Sequence, residues 1–294
     1  MVTVCHARSM PSGSHSNAHS RGQSWDQSGD QSWSTPEPVS PVAPALTGPV
    51  LMTQEWLDLT FLHWAVDPAR VAHLMPRGVR PDEHPGPGGA TYVGLVPFRM
   101  HRAAPSRLPG VPWVGTFLET NVRLYSVDRH GVRGVVFLSL DCERVVVTAG
   151  ARTAFGTPYR WARMRHRVTR ADGDTGADTG RPRHRYDARL RPPWPAHTSR
   201  ITIEVGEPRQ PTDLDHFVSA RWGLHTSVLG RSLYVPNHHE PWSLHDGRLV
   251  DLEDGLLGSV GFGDLASRPP DQIAFSRRVR TEFGLPRRLR ARPA

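Results

Sequence analysis

Apolar and polar side chains alternate in short runs along most of the chain, the period of strands with one face buried. The first clear run covers residues 57–64. Asp67 and Pro68 then suit an N-cap and a first helical position, with Val71, Leu74 and Met75 on one face and Pro76 and Gly78 ending the helix. A Pro/Gly loop at 85–89 leads to a strand over 90–100. Residues 116–127 alternate well, His130-Gly131 reverses the chain, and 132–141 reads as the hairpin partner. Further strands are predicted over 143–148, 159–168, 183–191, 201–205, 233–235 and 249–252, with a mobile Asp/Gly/Thr-rich loop at 171–181. A longer helix starts at Thr212, with Asp215 three residues on. Leu214, Phe217, Val218, Leu224 and Val228 keep its spacing until Gly230. Many strands with two helices define a mostly β, α+β class, and the strand count favours a closed or half-closed barrel.

Composition sets the boundaries. Residues 1–49 are dominated by Ser, Gly, His, Gln and Pro and carry too little apolar surface to offset ordering, so a disordered N-terminal tail is expected. The domain then spans 50–284, and 285–294 form an Arg-rich C-terminal tail. Neither an apolar run long enough for a transmembrane helix nor the apolar core of a signal peptide is visible, so a cytoplasmic protein without membrane contact is expected. Cys5 and Cys142 are the only cysteines, and no cysteine metal spacing occurs.

The net charge of +8 rests on arginine alone, because the chain contains no lysine. That excludes lysine Schiff-base chemistry and a lysine general base. The arginines at 277, 278, 280, 287, 288, 290 and 292 raise nucleic-acid binding, but no recognition motif accompanies them, and solvated chain ends are the commoner reading.

Strand periodicity puts Glu119, Asn121, Arg123 and Tyr125 on one face, and Leu118, Thr120, Val122 and Leu124 on the other. The polar face looks either at solvent, with cross-strand ion pairs, or into a polar cavity. In the cavity reading Glu119 and Arg123 lie about 13 Å apart along the strand, leaving room for a ligand between them. Arg123 then binds a carboxylate or another anion, and Glu119 serves as general base or hydrogen-bond acceptor. Ser139, Asp141 and Glu143 form a second alternating set that either converges with Glu119 or, the commoner reading, faces solvent near a turn. Arg163, Arg165 and Arg167 share a face, read as outer-strand arginines. His238, His239, Glu240 and His245 hint at a metal, but adjacent residues on an extended chain point to opposite sides, so no metal site is expected. His239 is instead placed at the pocket mouth beside Pro241-Trp242.

Several segments carry a family resemblance by their order and spacing: 64–78 ending Leu74-Met75-Pro76-Arg77-Gly78, 92–100, 119–125, 137–141, 150–152, 155–159 and His239-Glu240-Pro241-Trp242. Over about residues 52–280 the chain resembles the YqjF-like family of bacterial proteins, grouped with the acetoacetate-decarboxylase-like fold. The resemblance implies a small, cone-shaped β-barrel around a pocket, often in a homo-oligomer. Acetoacetate decarboxylases hold a nucleophilic lysine, a substrate-binding arginine and glutamates there. Glu119 matches one of those glutamates, whereas the lysine position, just before 155–158, holds Thr153-Ala154. The expected function is therefore binding of a small anionic or carbonyl-containing ligand, an oxo- or carboxylic acid. Lysine-independent acid/base chemistry of a lyase or isomerase kind can accompany it, and no cofactor is expected. The alternatives are a non-catalytic partner-binding or structural protein and, behind it, nucleic-acid binding.

Overall fold

The structure is a computed structural model, and it describes residues 33–86, 88–110, 114–145, 156–170 and 180–289. Thirteen strands make one sheet: β1 (Val50–Val66), β2 (Val79–Pro81), β3 (Thr91–Pro105), β4 (Phe117–Asp128), β5 (Arg133–Cys142), β6 (Tyr159–Arg170), β7 (Pro182–Leu190), β8 (Thr198–Pro208), β9 (Gly223–Val228), β10 (Arg231–His239), β11 (Leu244–Asp254), β12 (Gln272–Gly284) and β13 (Arg287–Arg288). Two short helices, α1 (Pro68–Val71) and α2 (Asp213–Ser219), and three 3₁₀ turns complete the described residues. The fold is mostly β, as the alternation predicts. None of the described helices is long and apolar enough to cross a membrane.

The strand pairings close on themselves twice. One ring runs β4-β5-β6-β7-β8-β11-β12-β1-β3 and back to β4. A smaller one leaves β5 through β9 and β10 and rejoins at β12. The segment β12-β1-β3-β4-β5 belongs to both, so it is a wall with two buried faces. One face packs a solid core that includes Leu62, Trp64, Leu95, Val122, Leu124, Ile203 and Phe275. The other looks into the smaller ring. This double burial explains why residues 91–98 are buried without interruption.

Bulges shape that wall. Asp58 and Arg102 have φ of 51°, and the β1–β3 register shifts between Leu57 and Leu62 and again between Thr53 and Glu55. The β4–β5 register jumps where Val122 faces Ser139 and Arg123 faces Phe137, leaving Leu138 as the extra residue. Each bulge exchanges the side-chain parity of its strand and sharpens its bend. Hence Trp56 and Leu59 of β1, three residues apart, both reach the same compartment.

Several expected boundaries move. Residues 1–32 of the expected tail lie outside the described residues. Residues 33–49 run extended along the domain, with Ser34 N donating to Arg129 O (3.0 Å), Glu37 N to Gly131 O (2.9 Å) and Trp222 Nε1 to Ser40 O (3.1 Å). The strand expected over 143–148 is not found in its described part: β5 ends at Cys142, and 143–145 leave the sheet. The loop 171–179 lies outside the described residues. The long helix expected from Thr212 to Gly230 ends at Ser219. Its start is as expected, with a full Thr212/Asp215 capping box. It stops because Arg221 turns back: Nε donates to Phe217 O (2.7 Å) and Nη1 to the buried Asp82 (2.5 Å). Leu224 and Val228 then belong to β9, and Leu229-Gly230 is the β9–β10 hairpin turn. Arg277, Arg278 and Arg280, read as solvated charge near the chain end, sit on β12, where Val279 and Thr281 on either side of Arg280 are buried.

Candidate functional site

The smaller ring encloses a cavity of about 500 Å³. Its walls are overwhelmingly apolar, supplied by β1, β3, β4, β5, β9, β10 and β12 together with Thr157, Tyr159 and Trp242. Against that lining, three polar side chains of β4 follow one another at two-residue spacing: Glu119, Asn121 and Arg123. Their alternating partners Val122 and Leu124 lie in the solid core behind. The polar face therefore points into the cavity, the second of the two readings left open by periodicity.

Glu119 is 3% exposed. Its Oε2 accepts a hydrogen bond from the Tyr159 hydroxyl at 3.0 Å. Burial pushes its carboxyl up to about 8. The Tyr159 bond opposes that rise, and the Asp141 carboxylate adds to it. At neutral pH Glu119 is thus a neutral acid, with one oxygen taking the Tyr159 proton and the other carrying its own. Asn121 is buried, and its Oδ1 has no hydrogen-bond partner among the described residues.

Arg123 is half-buried, and among the described residues no carboxylate stands within salt-bridge distance of it. Its guanidinium lies over the Phe61 ring (5.4 Å to the centroid) and the Tyr125 ring (5.7 Å). Nε donates to the Tyr125 hydroxyl (3.1 Å) and Nη2 to Val218 O (3.4 Å).

A chain of hydrogen bonds continues from there, and its proton positions follow from one charged end. Asp215 is held ionised. Burial opposes this, but hydrogen bonds from Arg209 and Thr212, joined by Gln272, keep its carboxyl below the usual range. A carboxylate only accepts, so the Gln272 amide nitrogen faces Asp215 Oδ1 (2.8 Å) and Gln272 Oε1 faces His63 Nδ1 (2.5 Å). Nδ1 is then the protonated ring nitrogen, and bare Nε2 takes the Tyr125 proton (2.5 Å). Burial, reinforced by the Arg123 charge, lowers His63 to about 3, so the imidazole is neutral. The Tyr125 oxygen is left with lone pairs aimed at Arg123. Gly94 makes this packing feasible: a Cβ there would stand 2.8 Å from His63 Nε2 and 3.2 Å from Arg123 Cγ.

Tyr125 therefore sits behind Arg123 and outside the cavity lining. His239 is also one layer back. It packs against Trp222 (4.6 Å between ring centroids) and Trp242 (4.8 Å) and bonds Glu240 O (2.7 Å). Trp56 and Trp242 take the lining position next to it. His238 turns the other way, to Pro44 O (3.2 Å). Ser139 and Asp141, expected at the surface, are fully buried because their strand has the solid core behind it. Asp141 forms a two-pronged pair with Arg160 (2.5 and 2.8 Å). Arg163, Arg165 and Arg167 are exposed on β6, as the outer-strand reading predicts. Tyr159, His63, Gln272 and Asp215 carried no site signal, since each reaches β4 from a distant stretch of chain.

Residues 53–280 match the family model DUF2071, described as an uncharacterized conserved protein. The uncharacterized protein YqjF of Bacillus subtilis (strain 168) is 28% identical over 196 residues, 67% of this chain and 76% of that one. Among solved structures, an acetoacetate decarboxylase-like enzyme from Sphingomonas wittichii RW1 aligns with a TM-score of 0.55 at 12% identity, covering 82% of this chain and 93% of its own. The enduracididine biosynthesis enzyme MppR complexed with pyruvate aligns with a TM-score of 0.51 at 16% identity, covering 83% and 92%. At these identities the likeness is one of fold.

Proposed function

The chain belongs to the DUF2071 family, and from that premise we propose that its cavity binds an oxo- or carboxylic acid, with Arg123 as the anion anchor and Glu119 as the proton-transferring group. The observation that carries this reading is the row Glu119, Asn121, Arg123 on a predominantly apolar wall. A guanidinium in such a setting, with no carboxylate at salt-bridge distance among the described residues, favours an anion supplied from outside. The fold is shared with a protein solved with pyruvate bound, which agrees with the same ligand class.

Without lysine, no lysine-derived iminium electron sink forms. What Glu119 offers is proton transfer. In the ligand-free protein at neutral pH it is a general acid, able to protonate a carbonyl oxygen or a carbanion, and it becomes the base of the reverse step. Tyr159 holds the carboxyl in place. This suits lyase or isomerase-type steps in which a proton is relayed at a carbon next to a carbonyl. Ligand binding is the part of the proposal on which the chemistry depends.

The test is thermal unfolding of the full chain with a panel of oxo, hydroxy and simple carboxylic acids, in the wild type and in Arg123→Ala. A ligand at about a hundred times its Kd adds roughly 2.7 kcal/mol, which for a domain of this size is a rise of about 5–10 °C in Tm. The rise is expected in the wild type and lost in Arg123→Ala. Equal rises in both proteins remove Arg123 as the anchor, and no rise with any acid overturns the binding reading.

A further inference from the structure

The shape of the cavity narrows the ligand class further. Phe117, Glu119, Asn121 and Arg123 follow one another along β4, which places about 20 Å of strand between the first and the last. The Arg123 end is closed: Phe61 and Tyr125 lie under the guanidinium and Val218 O caps it. The other end is formed by Leu51, Met52, Met100, Ala104, Val114 and Phe117, with exposed Pro105 at its edge. Among the described residues, no charged side chain lines that half. At the roughly 30 Å³ that a water occupies in the liquid, about 500 Å³ holds on the order of fifteen non-hydrogen atoms. A three-carbon acid fills less than half of it.

A small acid would leave most of the apolar wall against water, and a neutral hydrocarbon would leave the Arg123 guanidinium unanswered. Only an amphiphile satisfies both halves. We propose that the ligand is a medium-chain or aryl-substituted oxo- or carboxylic acid, its carboxylate at Arg123, its chain running past Asn121 and Glu119, and its apolar tail toward Leu51 and Val114. This rests on the acid-binding reading above and adds the tail to it. The tail supplies the affinity that so few polar contacts cannot. Each methylene moved from water into an apolar site is worth about a fourfold gain in binding.

Trp56 and Trp242 line the cavity, so tryptophan fluorescence and titration calorimetry both report occupancy. The probes are straight-chain 2-oxo acids from pyruvate to 2-oxodecanoate, with phenylpyruvate and 1-octanol alongside. The expected result is a Kd that falls about fourfold per added methylene and levels off once the cavity is full. Octanol should bind far more weakly than 2-oxooctanoate. In Ala104→Trp, which fills the apolar half, the affinity gain should stop at a shorter chain. Short acids that bind as tightly as long ones overturn the tail while leaving the acid reading intact. Octanol binding as well as 2-oxooctanoate overturns the acid reading itself. No binding across the whole series overturns both. Should Ala104→Trp not fold, the chain-length series on the wild type decides alone.

Discussion

Glu119 concentrates the chemistry of the site in one side chain, and its protonation has a measurable consequence for folding. In the unfolded chain its carboxyl titrates near 4.5, and in the folded protein near 8. Between those values the native state holds a proton that the unfolded state has released, so stability falls as pH rises through the window. The contribution is flat below 4.5 and flat again above 8. The slope approaches ~1.4 kcal/mol per pH unit for a single proton. Glu119→Gln removes it, so in urea titrations from about pH 5 to pH 8 the variant should gain steadily on the wild type. A stability difference that does not change with pH would mean that the carboxyl is ionised and solvated. The same substitution should abolish any turnover yet leave acid binding nearly intact, because Arg123 is untouched. Glu119, Asn121 and Arg123 were readable as one face from period-two spacing alone. That the face points inward was not readable, because it depends on what β4 is wrapped in. The acid state of Glu119 was likewise hidden, since it comes from burial and from Tyr159, forty residues away along the chain.

The elements that sequence patterning captured are those whose local signals agree with their surroundings. The Thr212/Asp215 capping box and the Asp67-Pro68 helix start are written in consecutive residues, and both are present in the structure. The misread helix past Ser219 shows the opposite case. Leu224 and Val228 continue a helical spacing, yet a buried ion pair between Arg221 and Asp82 ends the helix, a partner that no local pattern reveals. β12 escaped notice because its arginines look like a solvated run, although Val279 and Thr281 alternate with Arg278 and Arg280 into the interior. The β9–β10 turn carries a prediction of its own. Leu229 is 97% exposed, with φ of 49°, and Gly230 follows at 74°. Both central residues thus occupy the left-handed region that a type I′ turn demands, and leucine gains nothing there in return for its strain. Leu229→Asn gives the turn its preferred pair and should stabilise the protein by about 1 kcal/mol, read as a higher urea midpoint at unchanged m-value. A neutral or lower midpoint would mean that the turn is not of this type in solution.

At the scale of the molecule, buried neutral histidines stand on both sides of the shared wall. Burial holds His63 and His225 at about 3, and His184 and His239 at about 4. His63 stands in the relay behind Arg123, and His225 meets Ser126 (2.9 Å). His184 lies over Phe275 (4.6 Å), and His239 sits among tryptophans. Each is neutral in the fold and charged in the unfolded chain once pH drops below 6.5. Their folded values are depressed, so their stabilisation is complete above 6.5 and is lost as pH falls toward 4 and then 3. Glu119 acts in the opposite direction over the upper part of that range, because there the folded state holds the extra proton. Four protons taken up on unfolding against one released leave about three, so stability should fall by up to ~4 kcal/mol per pH unit between roughly pH 6 and pH 4.5. Since the four histidines are distributed over both sides of the shared wall, the loss should be cooperative, with fluorescence and far-ultraviolet circular dichroism melting together. His239→Phe keeps an aromatic ring among the tryptophans and removes one titrating group, so the acid limb should become shallower by about one proton's worth. An unchanged limb would show that His239 is already charged or solvated in the folded protein, and that the packing around Trp242 is looser than the geometry describes.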